Sequence, residues 1–482
     1  MIVSLYLNEK TSVFQAVKGK VFQINPTKNQ AKALLEWIGC QRFIYNAKVA
    51  DDRYYRTFSR KALSHTGQYA PIDQSYSQYK TELSPFLKQV PSQILRNGAV
   101  RWYQAYQRFF SGQNRRPKFK SKHGRQSVLI TSELFHLQQR DNGNWFLHLG
   151  TKTKPVGHIK VNNHQDIAVL PKQITISVYS GRWSLSFNTP ELDVNTGEII
   201  QYPDAQDVLD ELAKYSQEEL VAATNGVDRG VAIKARDSKR LISDELLNQN
   251  TQRLAQKEKK RIKYQKKLAR QVRQSKGYQK TKKRIARLYK YQSDCAKNLS
   301  HQISHKLTCD KSTMIVALED LNVKGMTKSA KGTNEKHGKN VRQKAGLNRS
   351  ILKSNWGKIK EYTKQKCYQR GKLLVLVPAP YTSQECSVCG TIHSESRESQ
   401  SVYACKACGH TENADANASK VIAKHAAFGV YQHFMSGQGL STTDGNIPSK
   451  KPVEFKISRD VIKSYHAQNR EAGNPHLNLL AS

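Results

Sequence analysis

The side chains best suited to chemistry lie toward the carboxy-terminal end of this 482-residue chain. Cys386-x-x-Cys389 and Cys405-x-x-Cys408 are separated by fifteen residues, and a glycine, Gly390 or Gly409, closes each pair. Four thiolates at that spacing complete a tetrahedron around Zn²⁺, because each tight knuckle lets backbone amides approach the sulfurs. Four protein donors leave no open position for substrate, so the expected zinc is structural. A redox dithiol would need only one such pair. His393 and His410 read as surface or supporting residues. Cys40, Cys295, Cys309 and Cys367 fall in apolar patterns and read as core fillers.

Three carboxylates stand out by context. Asp228 sits in an apolar run between Gly226 and Gly230. Glu319 ends the apolar strand that begins at Met314. Asp415 opens a helix of small residues just past the cysteines. Each alone would read as a cap or a salt-bridge partner. Together, on elements able to form a layered α/β core, they make a catalytic site for two divalent ions. Hard oxygen donors suit Mg²⁺ or Mn²⁺, and phosphodiester cleavage uses such a pair to activate water and stabilise the leaving oxygen. Asp237, Asp310 and Asp320 compete less well. Asp320 follows Glu319 directly, so in a strand it points to the opposite face.

The charge balance names the partner class. Lys plus Arg number 79 against 38 Asp plus Glu, a formal net charge of +41. Such an excess repels itself in a compact state unless a polyanion is bound, so nucleic acid is expected. Residues 257–290 alone hold sixteen Lys or Arg and one acid, Glu258. Tyr264, Tyr278, Tyr289 and Tyr291 lie in or just after this run. That mixture suits phosphates and bases better than a merely solvated face. Met1–Lys10 does not read as a secretory signal, and no run approaches the ~18 apolar residues of a membrane span. A cytoplasmic protein with no membrane partner is therefore expected.

The elements that would carry these residues follow from periodicity. A strand is predicted over 16–24. Capping-box spacing at Thr27 and Gln30 then opens a helix with an apolar stripe at Ala31, Leu34, Leu35 and Ile38. A second helix starts near Pro91, with Leu95, Gly98, Trp102, Tyr106 and Phe109 on one face. It gives way to a basic loop, 114–122, containing Phe119. Period-two runs between 126 and 188 predict a small sheet or barrel, with the helices inserted after its first strand. Residues 191–220 carry nine acids and one Lys, and read as a solvated linker. Residues 257–303 read as a helical hairpin turned at Ser275-Lys276-Gly277.

Several stretches resemble one protein family. GVDRG (226–230), ALEDLNVKGM (317–326) and YTSQECSVCG (381–390), with the downstream segment through ADANASKVI, are similar to the three RuvC motifs and zinc ribbon of TnpB proteins. These are the OrfB-type proteins of bacterial insertion sequences, relatives of the compact type V CRISPR effectors. NPTKNQAKALLEWIGCQRFIYNA (25–47) and RFFSGQNRRPKFKSKHGRQS (108–127) are also TnpB-like, so the resemblance covers about residues 16–430.

The resemblance implies an α/β and β multidomain chain. Its core would be an RNase H-like RuvC nuclease (221–382 and 410–430) with an inserted four-cysteine zinc ribbon (383–409). Before it would come a β-barrel-like wedge domain (1–26 and 121–190) with an inserted helical recognition domain (27–120). An acidic linker (191–220) and a flexible tail (431–482) complete the plan. Asp228, Glu319 and Asp415 match the catalytic metal-binding acids, and Cys386, Cys389, Cys405 and Cys408 the zinc ligands. Arg397 matches a recurrent ribbon Arg of open role. The implied activity is RNA-guided cleavage of double-stranded DNA beside a short adjacent motif, by a monomer using a guide transcribed from the transposon end. A type V CRISPR effector, a strand-joining transposase and a non-cleaving zinc-ribbon nucleic-acid-binding protein are the alternatives. Arg229 departs from an apolar position of the family, and the acidic segment and tail have no counterpart.

Overall fold

Alternating burial organises the amino-terminal part. In β1 (Val17–Ile24) Phe22 and Ile24 are buried while Val21 and Gln23 face out. The same period recurs in β2 (Gln126–Thr131), β3 (Phe135–Gln139), β4 (Trp145–Gly150), β5 (Pro155–Asn162), β6 (Gln173–Tyr179) and β7 (Arg182–Pro190). They form one sheet in the order β2-β6-β7-β1-β5-β4-β3, all neighbours antiparallel. Among the described residues the ladder runs from β2 at one end to β3 at the other. Thr27 and Gln30 do exchange capping-box hydrogen bonds (3.0 and 3.4 Å) and start α1 (Lys28–Thr66). Leu34 and Ile38 of its stripe are buried with Phe22, whereas Leu35 is exposed. Helix α2 (Ser92–Phe110) begins after Pro91 and joins the same core through Ile94, Leu95 and Ala99.

The computed structural model describes residues 17–66, 72–162, 167–193, 195–231, 233–333, 335, 337–437, 439–442 and 452–471. The reading of Met1–Lys10 and the first residue of the predicted strand, Ala16, lie outside them. The chain divides into two units, Met1–Ile200 and Gln201–Ser482. Among the described residues no helix is long and apolar enough to cross a membrane.

The second unit is built on continuous apolar runs rather than alternating ones, the mark of strands covered on both faces. The chain first forms α3 (Ala205–Leu212) and α4 (Gln217–Ala223), each opened by a capping box, at Asp204 and Ser216. Strand β8 (Thr224–Asp228) and the short β9 (Arg236–Asp237) follow, then α5 (Asp244–Asn248), α6 (Thr251–Ala269) and α7 (Lys276–Cys309). After β10 (Ile315–Glu319) come α8 (Val323–Met326), α9 (Val341–Lys353) and α10 (Trp356–Gln369), and then β11 (Leu373–Val377). A small hairpin, β12 (Val402–Ala404) and β13 (Thr411–Asn413), runs directly into α11 (Ala414–Ser436). The last elements are β14 (Ser441–Thr442), β15 (Phe455–Lys456) and α12 (Arg459–Glu471).

Six of these strands form a sheet in the order β14-β15-β11-β10-β8-β9, parallel from β15 to β8 and antiparallel at both edges. Strand β10 shows why helices flank it. Ile315 and Ala317 join a core with α3, α4, α11 and α12, while Val316 and Leu318 join one with α7 and α10. The unit is thus a three-layer α/β arrangement.

Two expectations are corrected here. The acidic stretch is not a solvated linker throughout, because Val208, Leu209, Leu212 and Leu220 are buried in the first of these cores. Its acids cap the helices and lie on the outer faces. The stretch after residue 430 is not wholly a flexible tail. Phe455 pairs with Val375 in the sheet, and Ile457 and Ile462 pack into the same core.

Candidate functional site

Parallel pairing sets the carboxylates. Val227 lies opposite Leu318, so the next residues, Asp228 and Glu319, leave the carboxyl ends of neighbouring strands side by side. Asp415 reaches them from the first turn of α11, where the Asn413 side chain accepts from the Asp415 and Ala416 amides at 3.1 and 3.2 Å. This helix lies against β8 at Gly226. A Cβ there would overlap the Ser419 carbonyl oxygen and come within 2.5 Å of the Ala423 nitrogen. Only glycine allows that approach.

The electrostatic strain of the site falls on Asp228. Asp228 is pushed up to about 8, first by burial and then by the charges of Glu319 and Asp415. Burial also raises Glu319 and Asp415. Arg397 opposes the shift at all three and lies 3.8 Å from the Asp415 carboxylate. Asp228 feels the charge of both partners.

Neighbouring groups hold the acids in place. Thr382 donates to Glu319 Oε1 at 2.8 Å. Arg229, the departure noted in sequence, is buried beneath the site, donating to the backbone carbonyls of Glu319 and Trp356. Trp356 Nε1 returns a bond to the Gly230 carbonyl at 3.0 Å, so the ends of β8, β10 and α10 are tied together. Burial lowers Arg229 to about 10, against the pull of Glu319 and Asp228. Sequence reasoning missed the part played by Thr382 and left Arg397 without a role. No spacing rule links either to the triad, since a docked loop and ribbon bring them in.

The weaker acidic candidates do other work. Asp237 is buried and accepts from the Leu241 and Ile242 amides. Asp310 accepts from Ser312 and Thr313 in the turn before β10. Asp320 turns away from Glu319 to an ion pair with Lys456 at 2.8 Å.

The four cysteines converge within 4.8 Å, with Sγ–Sγ separations of 3.7 Å (Cys386 to Cys408) and 3.6 Å (Cys389 to Cys405). Four sulfurs about 2.3 Å from a tetrahedral zinc would be about 3.8 Å apart, so the set fits the ion. Gly390 and Gly409 take the left-handed conformation at the two knuckles. Neither His393 nor His410 joins the sulfurs. Asn417 docks this module on α11 through Ser387 N (2.9 Å) and the Glu385 carbonyl (2.7 Å). Arg397, bridged to Tyr403, is thereby held at Asp415.

The basic hairpin consists of α6 and α7. No residue of α6 is buried. Glu258, its lone acid, is lowered to about 2 chiefly by its bond to Arg261, which also stacks on Tyr289 at 4.7 Å. Lys282, Lys283 and Arg287 of α7 are exposed. In the first unit, Arg42, Arg101, Lys120 and Arg125 line a cavity of about 410 Å³. Lys120 lies 3.5 Å from the Tyr45 ring centre and is lowered to about 7 by burial and Arg101. Both surfaces are built for polyanions.

Known proteins place the chain. It is 30% identical over 423 residues to the putative RNA-guided DNA endonuclease InsQ of Escherichia coli strain K12, covering 87% of this chain and 95% of that one. The chain belongs to the OrfB (TnpB-type) family. The family described as "Probable transposase" (OrfB_IS605) matches residues 211–330, and a Cas12f1-like TNB domain matches 356–422, which includes the four cysteines. A helix-turn-helix domain of the OrfB proteins matches 17–57, which here is a strand followed by one continuous helix. A putative RNA-guided DNA endonuclease of Streptomyces pristinaespiralis is 23% identical over 83% of the chain and 87% of its own length. Among solved structures, a Cas12f1–sgRNA–target DNA complex aligns at 13% identity with a TM-score of 0.47, over 82% of each chain.

Proposed function

We propose that this TnpB-type protein is an RNA-guided DNA endonuclease of an insertion sequence, cutting double-stranded DNA beside a short adjacent motif. The observation that carries the reading is the trio of carboxyls, Asp228, Glu319 and Asp415, gathered so that Asp228 feels the charge of both others. A strand-binding or purely structural protein gains nothing from such an arrangement, which is stable only with cations or protons. The names of the relatives supply the guide and the target class. The three-layer sheet with acids at its carboxyl edge supports an RNase H-like RuvC core.

Asp228, Glu319 and Asp415 would hold two Mg²⁺ or Mn²⁺ ions. Bound there, the ions supply an activated water and neutralise charge on the leaving oxygen. The protein groups orient this site. Thr382 fixes one oxygen of Glu319. Arg397 balances negative charge beside Asp415 and is available to a phosphate entering the site. Arg229 fixes the strand ends beneath. The zinc of the four cysteines is structural, and the α6–α7 hairpin contributes phosphate contacts. Base pairing with the guide would read the target, while the protein reads duplex shape and the adjacent motif.

Expression with the native downstream flank, followed by sequencing of co-purified RNA and a Mg²⁺-dependent cleavage assay, tests the reading. A discrete RNA from the element end and guide-matched double-strand cuts, lost in Asp228→Ala with RNA binding kept, are expected. Random cellular RNA and no cutting by the zinc-loaded protein would overturn it.

A further inference from the structure

A second group of metal-ligating side chains lies apart from both the acids and the cysteines. Glu385 Oε2 is 2.8 Å from His425 Nε2 and 3.0 Å from His466 Nε2, and the three donor atoms all lie within 4.8 Å of one another. They come from three separate segments: the loop entering the ribbon, the middle of α11 and the terminal helix α12. Glu385 and His425 are fully enclosed, and His466 is largely so.

His425 is the telling member. Its ring is fully buried, Nδ1 has no hydrogen-bond partner, and Nε2 lies 2.8 Å from the carboxylate oxygen but off the line of a well-aligned bond. A short but misdirected N···O contact is a poor hydrogen bond. It is the geometry of two donors aimed at a common third point. Burying an imidazole nitrogen without a partner is costly. An ion at that point would remove the cost.

The backbone holds the donors ready. Glu385 is bridged to Ile392 and its carbonyl accepts from Asn417 of α11 at 2.7 Å. In an extended segment neighbouring side chains leave opposite faces, so Glu385 points away from the Cys386 thiolate. Tyr465 packs edge-on to the His425 ring, with centroids 5.0 Å apart, and against Phe428. The site is thus walled by aromatic rings on the side of α12.

We propose that Glu385, His425 and His466 form a second transition-metal site that fastens α12 to α11 and to the base of the ribbon. Two imidazoles and one carboxylate select Zn²⁺, or Co²⁺ and Ni²⁺ in its place, over Mg²⁺ and Ca²⁺, which prefer all-oxygen sets. The enclosure makes the ion structural. It joins three segments that share no continuous sequence, as zinc does in small modules with little core of their own.

The test is metal stoichiometry on the full-length protein, with no dependence on cutting. Mass-spectrometric metal analysis of the wild type is expected to give two zinc per chain, and His466→Ala one. On Co²⁺ exchange, His466→Ala should keep the thiolate charge-transfer bands of the cysteine site. Equal metal content in the wild type and His466→Ala would overturn the proposal. Zinc-edge X-ray absorption of the wild type decides without any variant. A mixed shell of sulfur and nitrogen or oxygen is expected, and a sulfur-only shell with one zinc overturns it.

Discussion

Asp228 ionises near pH 8 when no cation is bound, because burial and two acidic neighbours all favour its proton. The unfolded carboxyl gives up its proton near 3.8. Between these values the folded state holds more protons, so the stability of metal-free protein from this group is full at low pH and declines as pH rises toward 8. Thermal melts in chelator should therefore fall from pH 5 to pH 8.5. Asp228→Asn should flatten that fall and raise the metal-free melting temperature, and an equal slope in the variant would refute the assignment. Divalent-ion affinity should rise over the same interval, since cations displace the proton. At Gly226 the relevant quantity is space. Gly226→Ala must push α11 off β8 at the Ser419 carbonyl, costing about 1–3 kcal/mol. It should also abolish cleavage by moving Asp415, read as a lowered melting point with lost cutting. The carboxylates were legible in sequence because each ends an apolar run or opens a helix. Thr382 and Arg397 were not, since their roles depend on loops that dock only in three dimensions.

At the scale of elements, the ribbon and α11 act as one piece, because β13 ends at Asn413 and the helix begins at Ala414. Cys405→Ser should release zinc, whose binding is worth on the order of 10 kcal/mol to such a module. Arg397 and Asp415 should lose their positions with it, so cleavage should fall at least a hundredfold while the sheet still melts cooperatively. Full activity without zinc would contradict this. The hairpin is a phosphate-binding element if its exposed cations bind. Replacing Lys282, Lys283 and Arg284 with Gln should lower the log–log salt slope of RNA or DNA binding by about 2 to 3, at about 0.7–0.9 per contact. An unchanged slope would mean these side chains are merely solvated. Long helices with strong periods, such as α2 and α7, and the wholly apolar strand β10 declared themselves in sequence. The short α3, α4 and β15 did not, because a helix of eight residues or a strand of two carries too little pattern to outweigh its polar composition.

For the whole molecule, a net charge of +41 makes unliganded protein self-repelling, and bound nucleic acid should relieve that cost. Melting temperature should rise by several degrees on adding the co-purified RNA at low salt, and less so at high salt. The parallel sheet brings a different consequence, concerning the order in which the chain is made. Asp228 leaves the ribosome first, whereas Asp415 and the closing strand β15 come last. At about 5–20 residues per second, the gap between the two aspartates is about 10 to 40 s. In the later part of that interval, once α7 is complete at Cys309, the nascent chain displays its basic hairpin but lacks the third acid. A hairpin that binds the guide would thus gather it before the chain can cut, giving guide loading a head start over nuclease activity during biosynthesis.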